Sequence, residues 1–106
     1  MTHAMKDTMR QARDQLTQLL EEDGITSGMY VRTYGRHLIA GRKEPVGRNG
    51  EVEDDDRVRF TQLSGRTYGL SVKRHTGRWE QTPFTGSLKD MVEAVRALMQ
   101  HLVAPY

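Results

Sequence analysis

The chain contains no cysteine, which excludes disulfide bridges and thiolate metal sites and fits a reducing compartment. Long apolar runs are absent too. No uninterrupted apolar stretch exceeds three residues, against the ~20 that a spanning helix needs, and Met1 to Arg10 lacks the apolar segment of a signal peptide. The expectation is a protein of the cytoplasm with no membrane partner.

Signatures of catalysis are missing as well. The histidines at 3, 37, 75 and 101 form no H-x-x-x-H or H-E-x-x-H pair, so no zinc site is indicated. Ser64, Ser71 and Ser87 read as turn, strand and helix cap, with no G-x-S-x-G elbow, and the glycines form no phosphate-cradling P-loop. The acidic run Glu51 to Asp56 lacks the alternating ligands and central glycine of a calcium loop. No metal, no cofactor and no enzymatic activity are expected.

What is present is a modest globular composition. With 106 residues, 36% hydrophobic and 28% charged, the chain suffices for one domain over 1–106 that buries roughly two-thirds of its unfolded surface. Neither an internal repeat nor a linker interrupts it.

Two segments carry the 3.6-residue rhythm of amphipathic helices. Met5, Met9, Ala12, Leu16, Leu19 and Leu20 form one stripe, predicting a helix over about 4–22 ended by Gly24. The acidic cluster Glu21, Glu22 and Asp23 opposes the negative end of that helix dipole, so its last turn is expected to fray. Core packing is the default for the stripe, with Met5, Met9 and Ala12 as an alternative homodimer interface. Leu88, Met91, Val92, Val95, Leu98, Met99, Leu102 and Val103 predict a second helix over about 88–103, N-capped by Ser87, with Asp90 in its first turn and Pro105 beyond its end.

Between the helices the period changes to two. Strands are predicted over about 29–34, 37–42, 57–63, 67–75 and 78–82, with either a tight turn or a bulge at Gly35-Arg36, turns at Ser64-Gly65 and Thr76-Gly77, and Pro83 ending the last strand. The stretch 43–56 collects proline, glycine, asparagine and acidic residues, and is expected to be a mobile acidic loop. The result is an α+β fold: an antiparallel sheet of about five strands flanked by an N-terminal and a C-terminal helix, αβββββα, with one sheet face covered and the other open.

Charge is strongly segregated. Between Ile25 and Glu80 there are eleven Lys and Arg, and five of the seven acidic residues there fall in Glu51 to Asp56. If Met29, Val31, Val58, Phe60, Leu70, Val72 and Trp79 point inward, alternation sends Tyr30, Arg32, Tyr34, Arg57, Arg59, Lys73, His75 and Arg78 outward. Trp79 and Phe84 are then expected to close the core against Val92 and Val95.

A basic face bearing tyrosines suits single-stranded DNA or RNA, because cations neutralise phosphates and aromatic rings stack on bases. On that expectation Arg32, Arg59, Lys73 and Arg78 contact phosphate, Tyr30 and Tyr34 stack, and the acidic loop shields the face. A solvated face with no such role is the competing reading, and a protein-interaction or homo-oligomerising module the alternative function. From about Met29 to Val103, strands followed by a packing helix, the chain is similar in outline to single-strand-binding folds of the Whirly and PUR type; the similarity is one of element order and transfers no residues.

Overall fold

The computed structural model describes residues 2–106, with side chains from Thr8 onward; Met5 of the first stripe lies outside the described side chains. Helix α1 covers Thr2–Glu21. The strands are β1 Tyr30–Tyr34, β2 His37–Pro45, β3 Val52–Ser64, β4 Thr67–Lys73 and β5 Trp79–Gly86, followed by α2 Leu88–Leu98 and the short α3 Gln100–Val103. The strands form one antiparallel meander in the order β1-β2-β3-β4-β5, which is the αβββββα arrangement expected.

Both long helices pack on one face of the sheet. Leu16 and Leu20 of α1, Val92 and Val95 of α2, and Leu38, Val58, Phe60 and Leu70 of the sheet are all but inaccessible and belong to one apolar cluster. Met9 and Ala12 are buried in the same cluster, so the default reading of their stripe holds.

The ends of the helices are tied. Ser87 Oγ accepts from Asp90 N while Asp90 Oδ2 accepts from Ser87 N, both at 3.1 Å, the reciprocal box that satisfies two otherwise orphaned donors. The end of α1, expected to fray, has side-chain partners. Arg96 of α2 donates to the carbonyls of Leu19 and Leu20 and to Thr26 Oγ1, bringing a positive charge to the negative end of the helix. Thr26 Oγ1 in turn donates to Leu20 O at 2.6 Å, and Glu21 accepts from Ser27 and Gly28.

Three expectations need correction. The stretch 43–56 is not one loop, because β2 runs on to Pro45 and β3 begins at Val52, leaving 46–51 as the turn of a hairpin; Lys43 stands opposite Asp54 and pairs with it, while Glu44 stands opposite Glu53. Pro83 does not end β5. That strand lies at the sheet edge, and three of its residues, Thr82 to Phe84, stand against Leu70 alone between the Gln81 and Thr85 pairs, a bulge that accommodates a missing donor. The last helix is broken at Met99, whose φ of −131° leaves the helical region. The break exposes Leu98 and buries Met99 and Val103.

A second bulge has wider consequences. The register steps from Ala40↔Val58 to Gly41↔Asp56, leaving Arg57 as the extra residue. Arg57, expected to point outward, therefore shares the helix side with Val58 and donates to the carbonyls of Leu102 and Ala104. Arg42 lies on the same side, 6% exposed, donating to Val103 O at 2.9 Å, Ile25 O at 3.1 Å and Ser27 O. One guanidinium thereby ties β2 to the turn after α1 and to the end of α3.

Candidate binding face

The face away from the helices carries Tyr30, Arg32, Tyr34, His37, Ile39, Lys43, Asp54, Asp56, Arg59, Ser71, Lys73, Trp79 and Gln81, as register dictates: Arg32 stands opposite Ile39, Ile39 opposite Arg59, Arg59 opposite Ser71, Ser71 opposite Gln81, and Lys73 opposite Trp79. Ile39 is buried there, 4% exposed, apart from the helix-side cluster; the aliphatic stems of its two arginine neighbours are placed to cover it.

Charge divides this face into two halves. On the β1 side, Asp56 accepts from the Tyr30 hydroxyl and from Arg32, whose Nη2 lies 2.6 Å from Asp56 Oδ2. Lys43 pairs with Asp54 and sits 5.4 Å from the centre of the Tyr30 ring. The ring itself lies across Gly41, where any Cβ would come within 2.5 Å of the Tyr30 hydroxyl and 2.1 Å of the Asp55 carbonyl. Burial, and then the hydrogen bond to Asp56, push the Tyr30 phenol above its ordinary range. Burial opposes ionisation of Asp56, yet the hydrogen bonds from Arg32 and Tyr30 outweigh it and hold its carboxyl below the usual range. This half is internally neutralised.

On the β3–β5 side the cations are matched less closely: the charge of Lys73 reaches Asp56 and helps to hold its carboxyl low, without the close ion pair that Arg32 makes there. Among the described residues neither Arg59 nor Lys73 has an ion-pair partner. The Arg59 guanidinium lies 4.9 Å and the Lys73 ammonium 5.9 Å from the centre of the Trp79 ring. Arg59 Nε is buried and has no hydrogen-bond partner among the described residues, a state that costs about 1–3 kcal/mol for an ordinary polar group. Beside it a cleft of about 150 Å³ opens, bounded by His37, Thr61, Leu63, Gly69, Ser71 and Gln81 as well as Arg59. His37 Nδ1 is 2.8 Å from Thr61 Oγ1. Burial, and then the charge of Arg59, lower the His37 pKa.

The six residues singled out from the sequence are thus split. Tyr30 and Arg32 are held in the neutralised half, where the Tyr30 ring is half-buried between its contacts with Gly41 and Lys43. Tyr34 is 69% exposed, its ring nearly parallel to that of His37 at 6.4 Å. Arg59 and Lys73 meet at Trp79. Arg78 is exposed in the turn before β5, where its carbonyl accepts from Arg74 N; it makes no hydrogen bond or ring contact with that cluster.

Sequence reasoning missed Trp79 and His37. Trp79 was expected inward, but the turn closed by Arg74 N and Arg78 O sets it opposite Lys73, on the open face; of the two aromatics expected at that corner, only Phe84 packs against the core. His37 follows a two-residue turn in which Gly35 takes φ +58°, pairing it with Tyr34. Counting across each turn would have found both.

Among the described residues no group of three or more His, Cys, Asp or Glu is placed to hold a metal ion, and no helix is long and apolar enough to cross a membrane. Comparison with protein-family models, with curated proteins and with solved structures gives no match for this chain.

Proposed function

We propose that the protein is a non-enzymatic binding module whose open sheet face takes single-stranded nucleic acid. The observation that carries this reading is the cluster of Arg59, Lys73 and Trp79: two cations with no ion-pair partner among the described residues, gathered around one half-buried aromatic ring. Cations of this kind neutralise phosphates with counterion release, and an indole or a planar guanidinium offers a base a stacking surface. The footprint is narrower than the whole basic face, since Arg32 and Lys43 already hold carboxylates. Tyr34 and His37 extend it toward β1. A cytoplasmic location is part of this proposal.

The test is fluorescence anisotropy of labelled single-stranded DNA, duplex DNA and RNA at low and near-physiological salt. Saturable binding that prefers the single strand and weakens with salt is the expected result. Equal affinity for the duplex, or no binding at low salt, refutes the reading.

A protein-interaction module is the second reading. It draws on a shallow, mostly apolar groove bounded by Ile25, Ala97, Leu98, Ala104 and Pro105 together with Gln100 and His101, in which Leu98 is 59% exposed. Size-exclusion chromatography with light scattering tests its homodimer form.

A further inference from the structure

We infer that the cleft beside Arg59 is a seat for a single phosphate group, held by the guanidinium of Arg59 with His37, Ser71 and Gln81 around it. This inference rests on the nucleic-acid reading for the source of the phosphate, but the geometry of the cleft stands apart from that source.

Size is the first argument. A cleft of about 150 Å³ is well below the ~300–1,000 Å³ of pockets that enclose whole small molecules. It matches a group carried on a larger ligand. Gly69 contributes no side chain to the lining, and a Cβ there would meet Leu63 at 3.4 Å, an ordinary van der Waals contact.

Chemistry is the second. Arg59, His37, Thr61, Ser71 and Gln81 line the cleft, and each can donate a hydrogen bond. Among the described residues no carboxylate lines it. Arg59 is held by its contact with Trp79 while its Nε finds no acceptor, whereas Arg32, Arg57 and Arg74 each have a carboxylate within 2.7 Å. A tetrahedral oxyanion supplies acceptors in several directions at once, and a guanidinium is the side chain best shaped to meet them. Because its Nε is buried, the Arg59 side chain must shift for that atom to take a bound oxyanion as its partner.

The phosphate can come from the interior of a strand, from a strand's 5′ end or from a free ion. The experiment uses three probes on the full chain: inorganic phosphate, a thymidine trinucleotide, and the same trinucleotide with a 5′ phosphate. Each is titrated while the Nε–H resonance of Arg59 and the ring resonances of His37 are followed. All three are expected to shift these resonances, and Arg59→Gln is expected to weaken binding by roughly tenfold or more, the scale of a lost charge-assisted hydrogen bond. Gln81→Ala provides a milder variant on an exposed strand edge.

Outcomes separate the two proposals. If the trinucleotides bind and the Arg59 and His37 signals stay still, the cleft is overturned and the nucleic-acid reading survives. If inorganic phosphate shifts them and neither trinucleotide binds, the cleft stands as a site for free phosphate and the nucleic-acid reading falls. If the 5′-phosphorylated strand alone does so, the seat is for a terminal phosphate. No response to any probe overturns both.

Discussion

Arg59 lies over Trp79, its guanidinium 4.9 Å from the ring centre, and both belong to the solvent-facing side of the sheet. The single tryptophan of the chain is therefore a surface element and no part of the helix-side core.

That placement predicts the cost of removing it. Trp79→Ala should lower stability by less than about 2 kcal/mol, the range for an exposed cation–π contact plus partial burial. A core tryptophan would cost ~3–5 kcal/mol. Urea unfolding followed by far-UV circular dichroism distinguishes the two values, and the larger one would return Trp79 to the core.

Gly41 is required by its neighbours. A methyl group there would meet the Asp55 carbonyl at 2.1 Å and the Tyr30 hydroxyl at 2.5 Å, so Gly41→Ala should destabilise the protein by about 2 kcal/mol or more. Gly65 has open space around its Cβ position and no positive φ. Gly65→Ala should leave the melting temperature nearly unchanged, and equal effects from the two would contradict the account.

Arg42 holds three backbone carbonyls from two distant parts of the chain. Arg42→Met leaves them without that donor, with an expected loss of about 2–4 kcal/mol. Native-state hydrogen exchange should show the loss at the turn after α1 and at α3 first. Uniform loosening would mean that Arg42 is not the local tie.

The lowered pKa of His37 gives a signed pH effect. Its ring faces Tyr34 from β1, and Thr61 and Arg59 from β3. Because the unfolded state takes the proton first, His37's contribution is present above its unfolded pKa, near 6.5, and is lost as pH falls through the lower folded value. Histidine NMR titration should give a midpoint below 6.5 in the free protein. Arg59→Gln should raise that midpoint, and phosphate should raise it further, so that binding tightens as pH falls. A midpoint unmoved by either would remove His37 from the site.

The sequence made the elements legible because their periods are unambiguous: the α2 stripe from Leu88 to Val95 and the alternation through Val58 and Phe60 read directly as helix and strand. Gly35 and the Ser87–Asp90 pair marked boundaries by local chemistry. Bulges are what the pattern hides. The extra residue at Arg57 and the five residues between Lys73 and Trp79 set facing by register, and register depends on partners far along the chain. The hairpin through Lys43 and Asp54 escaped notice for a related reason. Its strands are rich in acids and hold the cross-strand pair Lys43–Asp54, a composition that by itself reads as a loop. Of the six candidate site residues, Arg59 and Lys73 meet as a cluster, because alternation placed them correctly; Tyr30 and Arg32 are occupied by Asp56, a neighbour brought in by the Gly41 bulge.

The salt dependence of oligonucleotide affinity tests the division of the open face most directly. Each phosphate contact on a single strand contributes about 0.7 to the slope of log K against log salt. Replacing Arg59 and Lys73 together by alanine should lower that slope by roughly 1.4, whereas replacing Arg32 and Lys43 should leave it nearly unchanged, since Asp56 and Asp54 already neutralise them. An unchanged slope in the first variant, or an equal drop in the second, would contradict the assignment of binding to the β3–β5 half.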